Sequence, residues 1–350
     1  MTEVNSNILD MIGQAVLLVR GSSIIYANPA AAEILGIDCQ GKKLAKILGA
    51  EIASSQASEF VANAVVNRKS FLVHATQKDG LRVIVLKEPT ADCDVMNERF
   101  IAAMRSSLML LSMSAEMCRS RAEKSGDKRI LETLAMMNKT IANATRTIAN
   151  ASTVQSIFSG NLSFTPTNIE LPMLCETCAG VLKELLPELD IRLDLPKSCI
   201  LSADSKLMTQ LLMNLLSNSI RHGKSRIIDI HVRDNGNQIV LTVRDDGCGI
   251  SSTELNNVLE RYRDNPTLRN MDRGSGFGLT VVRGIAEKHG GTFLLESREG
   301  MGVMAHIILK KNLANCSMRS TDRHETDAKD LLIWAADCLP ESCYTEKYMD

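Results

Sequence analysis

Along the 350-residue chain the spacing of apolar positions changes character twice. The apolar runs Ala15 to Val19 and Ile24 to Ala27 flank Arg20-Gly21-Ser22-Ser23, which predicts a hairpin. Asn28-Pro29 then opens a short helix, Ala30 to Leu35, that Gly36 ends. Asparagine caps a helix start well and proline suits the first helical position. Phe71 to Ala75 and Leu81 to Leu86 alternate around Lys78-Asp79-Gly80, a second hairpin signal. From residue 100 the period lengthens. Phe100, Met104, Leu108, Leu111, Ala115 and Cys118 recur every three or four residues, so they line one helix face. Ser125-Gly126-Asp127 breaks that helix, and a second stripe follows through Ile130, Leu134, Met137, Ile141, Ala144, Ile148, Ala151, Val154 and Phe158. Two such helices form an antiparallel hairpin whose stripes are too long for one partner to bury, which predicts dimerisation into a four-helix bundle. An internal coiled-coil spacer is the other reading of the same stripes.

After residue 164 the pattern becomes mixed. Helices are expected near 171–186, 204–222 and 280–289, with strands near 191–195, 227–232, 239–244, 292–297 and 303–309. The expected organisation is a small α/β sensor over 1–90 with four legible strands and a two-helix dimerisation segment over 91–160. An α/β domain follows over 161–311, then a polar tail over 312–350 with a short helix near 331–338 and no assignable role.

Composition narrows the class. Apolar residues make up 45% and charged residues 23%, an ordinary globular balance, while 3% aromatics means cores built from Leu, Ile, Val, Ala and Met. Forty basic against 41 acidic residues carry no basic excess, so nucleic acid is not the expected partner. No segment reaches the roughly 18–20 uninterrupted apolar residues of a membrane span. Glu3 and Asp10, with no basic region before an apolar run, do not read as a signal peptide, so the expected location is cytoplasmic. The ten cysteines are scattered and Cys175-x-x-Cys178 has no second pair to complete a zinc site, so free thiols are expected.

Three elements in the C-terminal half carry chemistry. In Asn214-Leu215-Leu216-Ser217-Asn218-Ser219-Ile220-Arg221-His222, residues Asn214, Asn218 and Arg221 share one helix face. Two amides and a guanidinium there suit a metal ion and phosphates. Asp245-Asp246-Gly247-Cys248-Gly249-Ile250 follows a strand directly. A carboxylate at a strand end accepts a hydrogen bond from a ring amine, and glycines let a base approach the backbone. Gly274-Ser275-Gly276-Phe277-Gly278-Leu279 runs into the third helix, where backbone amides and a helix N-terminus bind phosphate.

In this order the three elements resemble the N box and two glycine boxes of the ATPase superfamily shared by histidine kinases, gyrase and mismatch-repair MutL. Ala286-Glu287-Lys288-His289-Gly290-Gly291 and Gly300-Met301-Gly302 are similar to the kinase branch, and Asn214 stands where ATP-hydrolysing clamps carry a glutamate base. The stretch Ile24 to Gly36 is similar to the opening of PAS sensor domains. The resemblance implies a bacterial sensor histidine kinase: a PAS-like sensor, an antiparallel two-helix hairpin and an α/β sandwich of the histidine-kinase ATPase type. It implies ATP and Mg2+ as ligands, with Asn218 on the metal, Asn214 nearby, and Arg221 and His222 facing the nucleotide. Asp245 would pair with the adenine amine, within a base-binding loop that includes Gly247, Gly249 and Ile250. Gly274, Gly276, Gly278 and Leu279 would touch phosphates under a lid of roughly residues 251–275. A homodimer and a response-regulator partner follow from the same resemblance.

The acceptor departs from the pattern. Histidine kinases place their phosphoacceptor six residues after a phenylalanine and directly before an acid; from Phe100 that position is Ser106, followed by Ser107. The chain's six histidines, His74, His222, His231, His289, His306 and His324, all lie outside 91–160. Ser106 sits about 200° from Met104 and Leu108 at ~100° per residue, so it faces outward. A serine hydroxyl needs a base beside it, and none is evident. Autophosphorylation at Ser106 is therefore not expected. A nucleotide-binding pseudokinase or scaffold, and a kinase acting on a partner's serine, are the alternatives to the family's usual chemistry.

Overall fold

A computed structural model describes residues 9–10, 13–36, 39–55, 57–66, 69–87, 98–125, 127–222, 224–251, 255, 277–311 and 328–344. The N-terminal unit is an antiparallel sheet of β1 (Ala15–Arg20), β2 (Ser23–Ala27), β3 (Glu59–Val66), β4 (Lys69–Lys78) and β5 (Leu81–Lys87), in the order β2-β1-β5-β4-β3. Helices α1 (Pro29–Leu35), α2 (Leu44–Leu48) and α3 (Ala50–Ser54) connect β2 to β3. Asn28 caps α1 as its sequence suggests: fully buried, its Oδ1 accepts from Ala31 N at 3.0 Å and Val16 N at 2.9 Å. One side chain thus fixes the helix start to the edge of β1.

This unit has five strands where four were legible. The missed strand, β3, is buried along nearly its whole length because both of its faces are covered, Phe60, Ala62 and Ala64 by the N-terminal core and Val61 by the C-terminal one, so it shows no alternation. Its outer neighbour belongs to the C-terminal half. β3 pairs antiparallel with β11 (Thr292–Ser297), with Ala62 opposite Leu294, and joins both halves into one ten-stranded sheet. Asn63 Oδ1 accepts from the Phe293 amide, and Ser55 Oγ donates to Glu296 Oε1 at 2.7 Å. Leu294 and Ile308 pack into the core of the N-terminal unit.

Helices α4 (Glu98–Ser125) and α5 (Lys128–Phe158) form the expected hairpin. Asp127 caps α5 by accepting from Arg129 N and Ile130 N. The predicted stripes are buried unevenly. On α4, Ala115 is buried while Phe100 and Leu111 are about half exposed at 49% and 50%. On α5 the second half of the stripe, Ile148, Ala151 and Val154, is buried, with Val154 in the core of the C-terminal α/β unit.

That unit packs α6 (Leu171–Leu185), α7 (Ser205–Arg221) and α8 (Phe277–Lys288) on the remainder of the sheet, β7 (Asp190–Asp194), β9 (Ile227–Asp234), β10 (Gln238–Asp245), β11 and β12 (Val303–Lys310), in the order β11-β12-β10-β9-β7. Two four-residue strands without a counterpart among the expected elements, β6 (Thr167–Glu170) and β8 (Ile200–Ala203), form a separate ribbon too short to show a period. Cys175 and Cys178 lie in the core on α6, where burial pushes both thiols up, Cys178 to about 12. Neither is a thiolate at neutral pH. In the tail, α9 (Ala328–Trp334) and a 3₁₀ turn, Glu341–Tyr344, pack against α5, α6 and α7. No described helix is long and apolar enough to cross a membrane.

Candidate functional site

The site is built around α7. Asp204 caps it, accepting from Lys206 N and Leu207 N at 3.1 Å each, while its second oxygen accepts from Thr165 N and Oγ1 at 2.9 Å. Burial opposes its charge, but these donors outweigh burial and hold the carboxyl below its usual range. The Asp204 amide donates to His289 Nε2 at 3.0 Å, and His289 Nδ1 lies 2.8 Å from the Ile285 carbonyl, so the proton sits on Nδ1. His289 is thereby a structural strut between the ends of α7 and α8.

Apolar residues Leu211, Leu212, Leu215 and Leu216 bury one side of α7 and turn Gln210, Asn214, Ser217 and Arg221 to the other. Asn218 stands a fifth of a turn or so from that row and is half-buried. Asn218 and Asn214 both meet α8 at Gly278, where an added Cβ would lie 3.5 Å from Asn218 Nδ2, 3.6 Å from its Oδ1 and 3.4 Å from Asn214 Oδ1. Leu279 follows, half-buried, at the start of α8. Two of the three sequence elements therefore converge. Gly274, Gly276 and nearly all of the expected lid lie outside the described residues.

Asp245, 4% exposed, ends β10. Its Oδ1 accepts from Gly247 N at 3.0 Å and Val303 N at 3.2 Å, and its Oδ2 from Ser219 Oγ at 2.8 Å. A carboxylate has about four acceptor positions, so three donors leave room for one more at Oδ2. Gly249 adopts φ +67°, and a Cβ there would lie 2.1 Å from the Arg298 carbonyl oxygen. Only glycine fits that crossing. Ile250, half-buried, donates its amide to Ser297 Oγ at 2.8 Å, and Ser297 donates on to the Gly302 carbonyl at 2.9 Å. Asp246 braces the loop, accepting from Arg226 N and Ile227 N at 2.9 and 3.0 Å.

Several polar partners at this site escaped sequence reading. Asn214 is fully buried with both ends of its amide engaged. Its Oδ1 accepts from Asn150 Nδ2 at 3.0 Å and Arg146 Nη2 at 3.2 Å; its Nδ2 donates to Asn150 Oδ1 at 3.1 Å and the Gln210 carbonyl at 2.9 Å. Asn150 and Arg146 come from α5, four residues apart on one face. Asp337, from the tail, pairs with Arg146 and with Arg221 at 3.4 Å, and accepts from Ser217 Oγ at 2.5 Å. His222, exposed, caps the end of α7; partial desolvation first, and then the neighbouring Arg221, hold its pKa down. The only spacing signal was the four-residue repeat of Arg146 and Asn150, which reads as a solvated helix face.

Ser106 is exposed on α4 and donates to its own helix at the Ala102 carbonyl, 3.1 Å away; Ser107 does the same to Ala103 at 3.0 Å. Among the described residues no acid or imidazole is hydrogen-bonded to either hydroxyl.

Comparison with known proteins agrees with this layout. Residues 203–313 match the family of histidine kinase-, DNA gyrase B- and HSP90-like ATPases, and residues 5–67 match the PAS domain family. The sensor protein IrlS of Burkholderia pseudomallei is 32% identical over 124 residues, which are 35% of this chain and 27% of that protein. The sensor histidine kinase ZraS of Escherichia coli is 32% identical over 114 residues, 32% of this chain and 23% of that protein. The chain thus spans about a quarter of the length of these curated relatives. The structure of full-length ShkA in complex with AMPPNP superposes with a TM-score of 0.50 at 14% identity, covering 64% of this chain and 48% of that one, and supports the fold. Residues 203–313 are thus an ATPase domain of the histidine kinase-, DNA gyrase B- and HSP90-like family, a PAS domain precedes it, and the relatives that the chain resembles are sensor proteins and sensor histidine kinases.

Proposed function

We propose that this chain is a cytoplasmic, homodimeric sensor of the two-component type. It binds ATP with Mg2+ and signals through nucleotide-dependent rearrangement, without phosphorylating its own first helix. The observation that carries the nucleotide reading is Asp245, a buried carboxylate with one acceptor position left, beside a glycine crossing that no larger residue fits. That position suits the exocyclic amine of adenine. The amide oxygen of Asn218, facing Gly278, is a hard donor of the kind magnesium prefers. When bound, Mg2+ would neutralise phosphate charge, while Arg221, His222, Gly278 and Leu279, with Gly274 and Gly276, would hold the phosphates. Gly247, Gly249 and Ile250 would line the base.

The absence of histidine from residues 91–160 and the base-free hydroxyl of Ser106 support the reading without self-phosphorylation. A response regulator remains the partner that the family suggests. The broad apolar exposure of α4 supports a second copy as partner, since Met109, Leu110, Met113 and Met117 are each more than half exposed. Calorimetric titration with ATP and Mg2+ tests the site. Asp245→Asn turns an acceptor toward a donor and is expected to weaken binding at least tenfold, of the order of 1.4 kcal/mol; unchanged affinity removes Asp245 from the site.

A further inference from the structure

The tail had no role legible in its sequence, yet its described part is built into the molecule. Leu331, Leu332, Ala335, Ala336 and Leu339 are at most 3% exposed, and Tyr344, 2% exposed, donates its hydroxyl to the Leu332 carbonyl at 3.0 Å. This packing delivers one carboxylate, Asp337, to the polar row of α7. There it meets Ser217, Arg221 and, from α5, Arg146. Two guanidiniums share that one anion, so the three charged groups in contact keep a net positive charge. Arg146 is 8% exposed, and its Nε finds no hydrogen-bond partner among the described residues. A buried guanidinium with a spare donor is under-supplied with anion. The same guanidinium also holds Asn214 Oδ1, the oxygen that faces Gly278.

We propose that residues 328–344 form an internal latch in which the Asp337 carboxylate stands in for a nucleotide phosphate on α7, so that bound ATP and the closed latch compete for Arg146, Ser217 and Arg221. The inference rests on the nucleotide reading of Asn218, Arg221 and Asp245 above and adds its regulation. In the latched state Asp337 pins Arg146, and Arg146 and Asn150 occupy the Asn214 amide, so α5 is held against α7. A triphosphate offers more negative charge to the same donors. Its binding displaces the carboxylate, draws Arg146 away from Asn214 Oδ1 and loosens the tail, leaving Asn150 as the one α5 side chain on the Asn214 amide. Nucleotide binding is thereby converted into release of the tail and a weaker hold of α5 on α7, as a ligand with different affinity for two states must do.

The test uses the full chain with ATP and Mg2+. Asp337→Asn keeps the side-chain volume and removes the charge. It is expected to bind ATP roughly five- to tenfold more tightly than the parent, the scale of one unit charge felt across about 4 Å near water. In the parent protein, saturating ATP is expected to speed amide hydrogen exchange over residues 331–339. Equal or weaker binding by Asp337→Asn, or unchanged exchange in a parent protein saturated with ATP, overturns the latch. The two readings fail differently. If parent and variant bind equally well, the latch falls and the nucleotide site stands; if neither binds ATP, the nucleotide reading falls and takes the latch with it.

Discussion

Gly302 shows how tightly single residues are constrained around Asp245. It adopts φ +81°, and a Cβ there would lie 2.0 Å from the Asp245 carbonyl oxygen. Gly302→Ala is expected to destabilise the fold by about 2–4 kcal/mol, combining left-handed strain with a backbone clash. Gly300→Ala, with φ +76° and nothing within 4 Å, should cost only about 1 kcal/mol. Chemical denaturation of both variants checks this, and equal losses would mean that crowding at Gly302 is relieved elsewhere. His289 gives a pH signature. Burial is the main cause of its lowered pKa, which lies below the ordinary 6.5. Below that value the unfolded chain takes up a proton that the folded chain refuses, so stability falls as pH drops. Burial acts in the same direction on His306. His289→Gln should therefore flatten, without abolishing, the fall in melting temperature between about pH 7.5 and about pH 5.5. An unchanged slope would mean that His289 does not titrate with folding. At this scale the asparagines, Asp245 and the glycines were legible because their chemistry is local. Arg146, Asn150 and Asp337 were not, because their partners on α7 lie 68, 64 and 120 residues away.

The helices α4 and α5 were predictable as elements, and so was the turn between them, since a long apolar period broken by Ser125-Gly126-Asp127 admits few other structures. Which part of each stripe is covered depends on tertiary partners that periodicity does not carry. The second half of the α5 stripe is buried, Val154 in the core of the C-terminal unit, whereas the α4 stripe leaves Phe100 and Leu111 exposed at 49% and 50%, and Leu110 and Met113, off that stripe, are exposed at 65% and 56%. Met113→Glu is expected to weaken self-association at least tenfold, because a charge placed in an apolar seam must be desolvated. Sedimentation equilibrium reads this directly, and an unchanged mass across concentrations would place the dimer contact elsewhere. Strand β3 was illegible for the opposite reason: it is covered on both sides, so the alternation that reveals β4 and β5 is missing.

At the scale of the molecule, the unforeseen feature is the shared sheet. Two α/β units were expected in sequence order, with no contact between their sheets foreseen. Their edge-to-edge union through β3 and β11 is a long-range pairing whose only local trace is Asn63 in an otherwise apolar run. Leu294 reaches from β11 into the N-terminal core. Leu294→Lys should part the two units. Hydrogen exchange over residues 59–66 is expected to rise while β9 and β10 stay protected; loss of protection in all of them would mean that the halves fold as one cooperative unit. Through this joint the N-terminal unit shares a sheet with β10, which ends at Asp245, while α5 and the described tail pack against α7.

The most direct test of the whole account is incubation of the purified chain with γ-labelled ATP and Mg2+, followed by acid and alkali treatment of the protein. ATP is expected to bind, and no label is expected to stay on the chain. Acid-labile, alkali-stable label would be phosphohistidine, and acid-stable label a phosphorylated hydroxyl with Ser106 examined first; either would contradict signalling without self-phosphorylation.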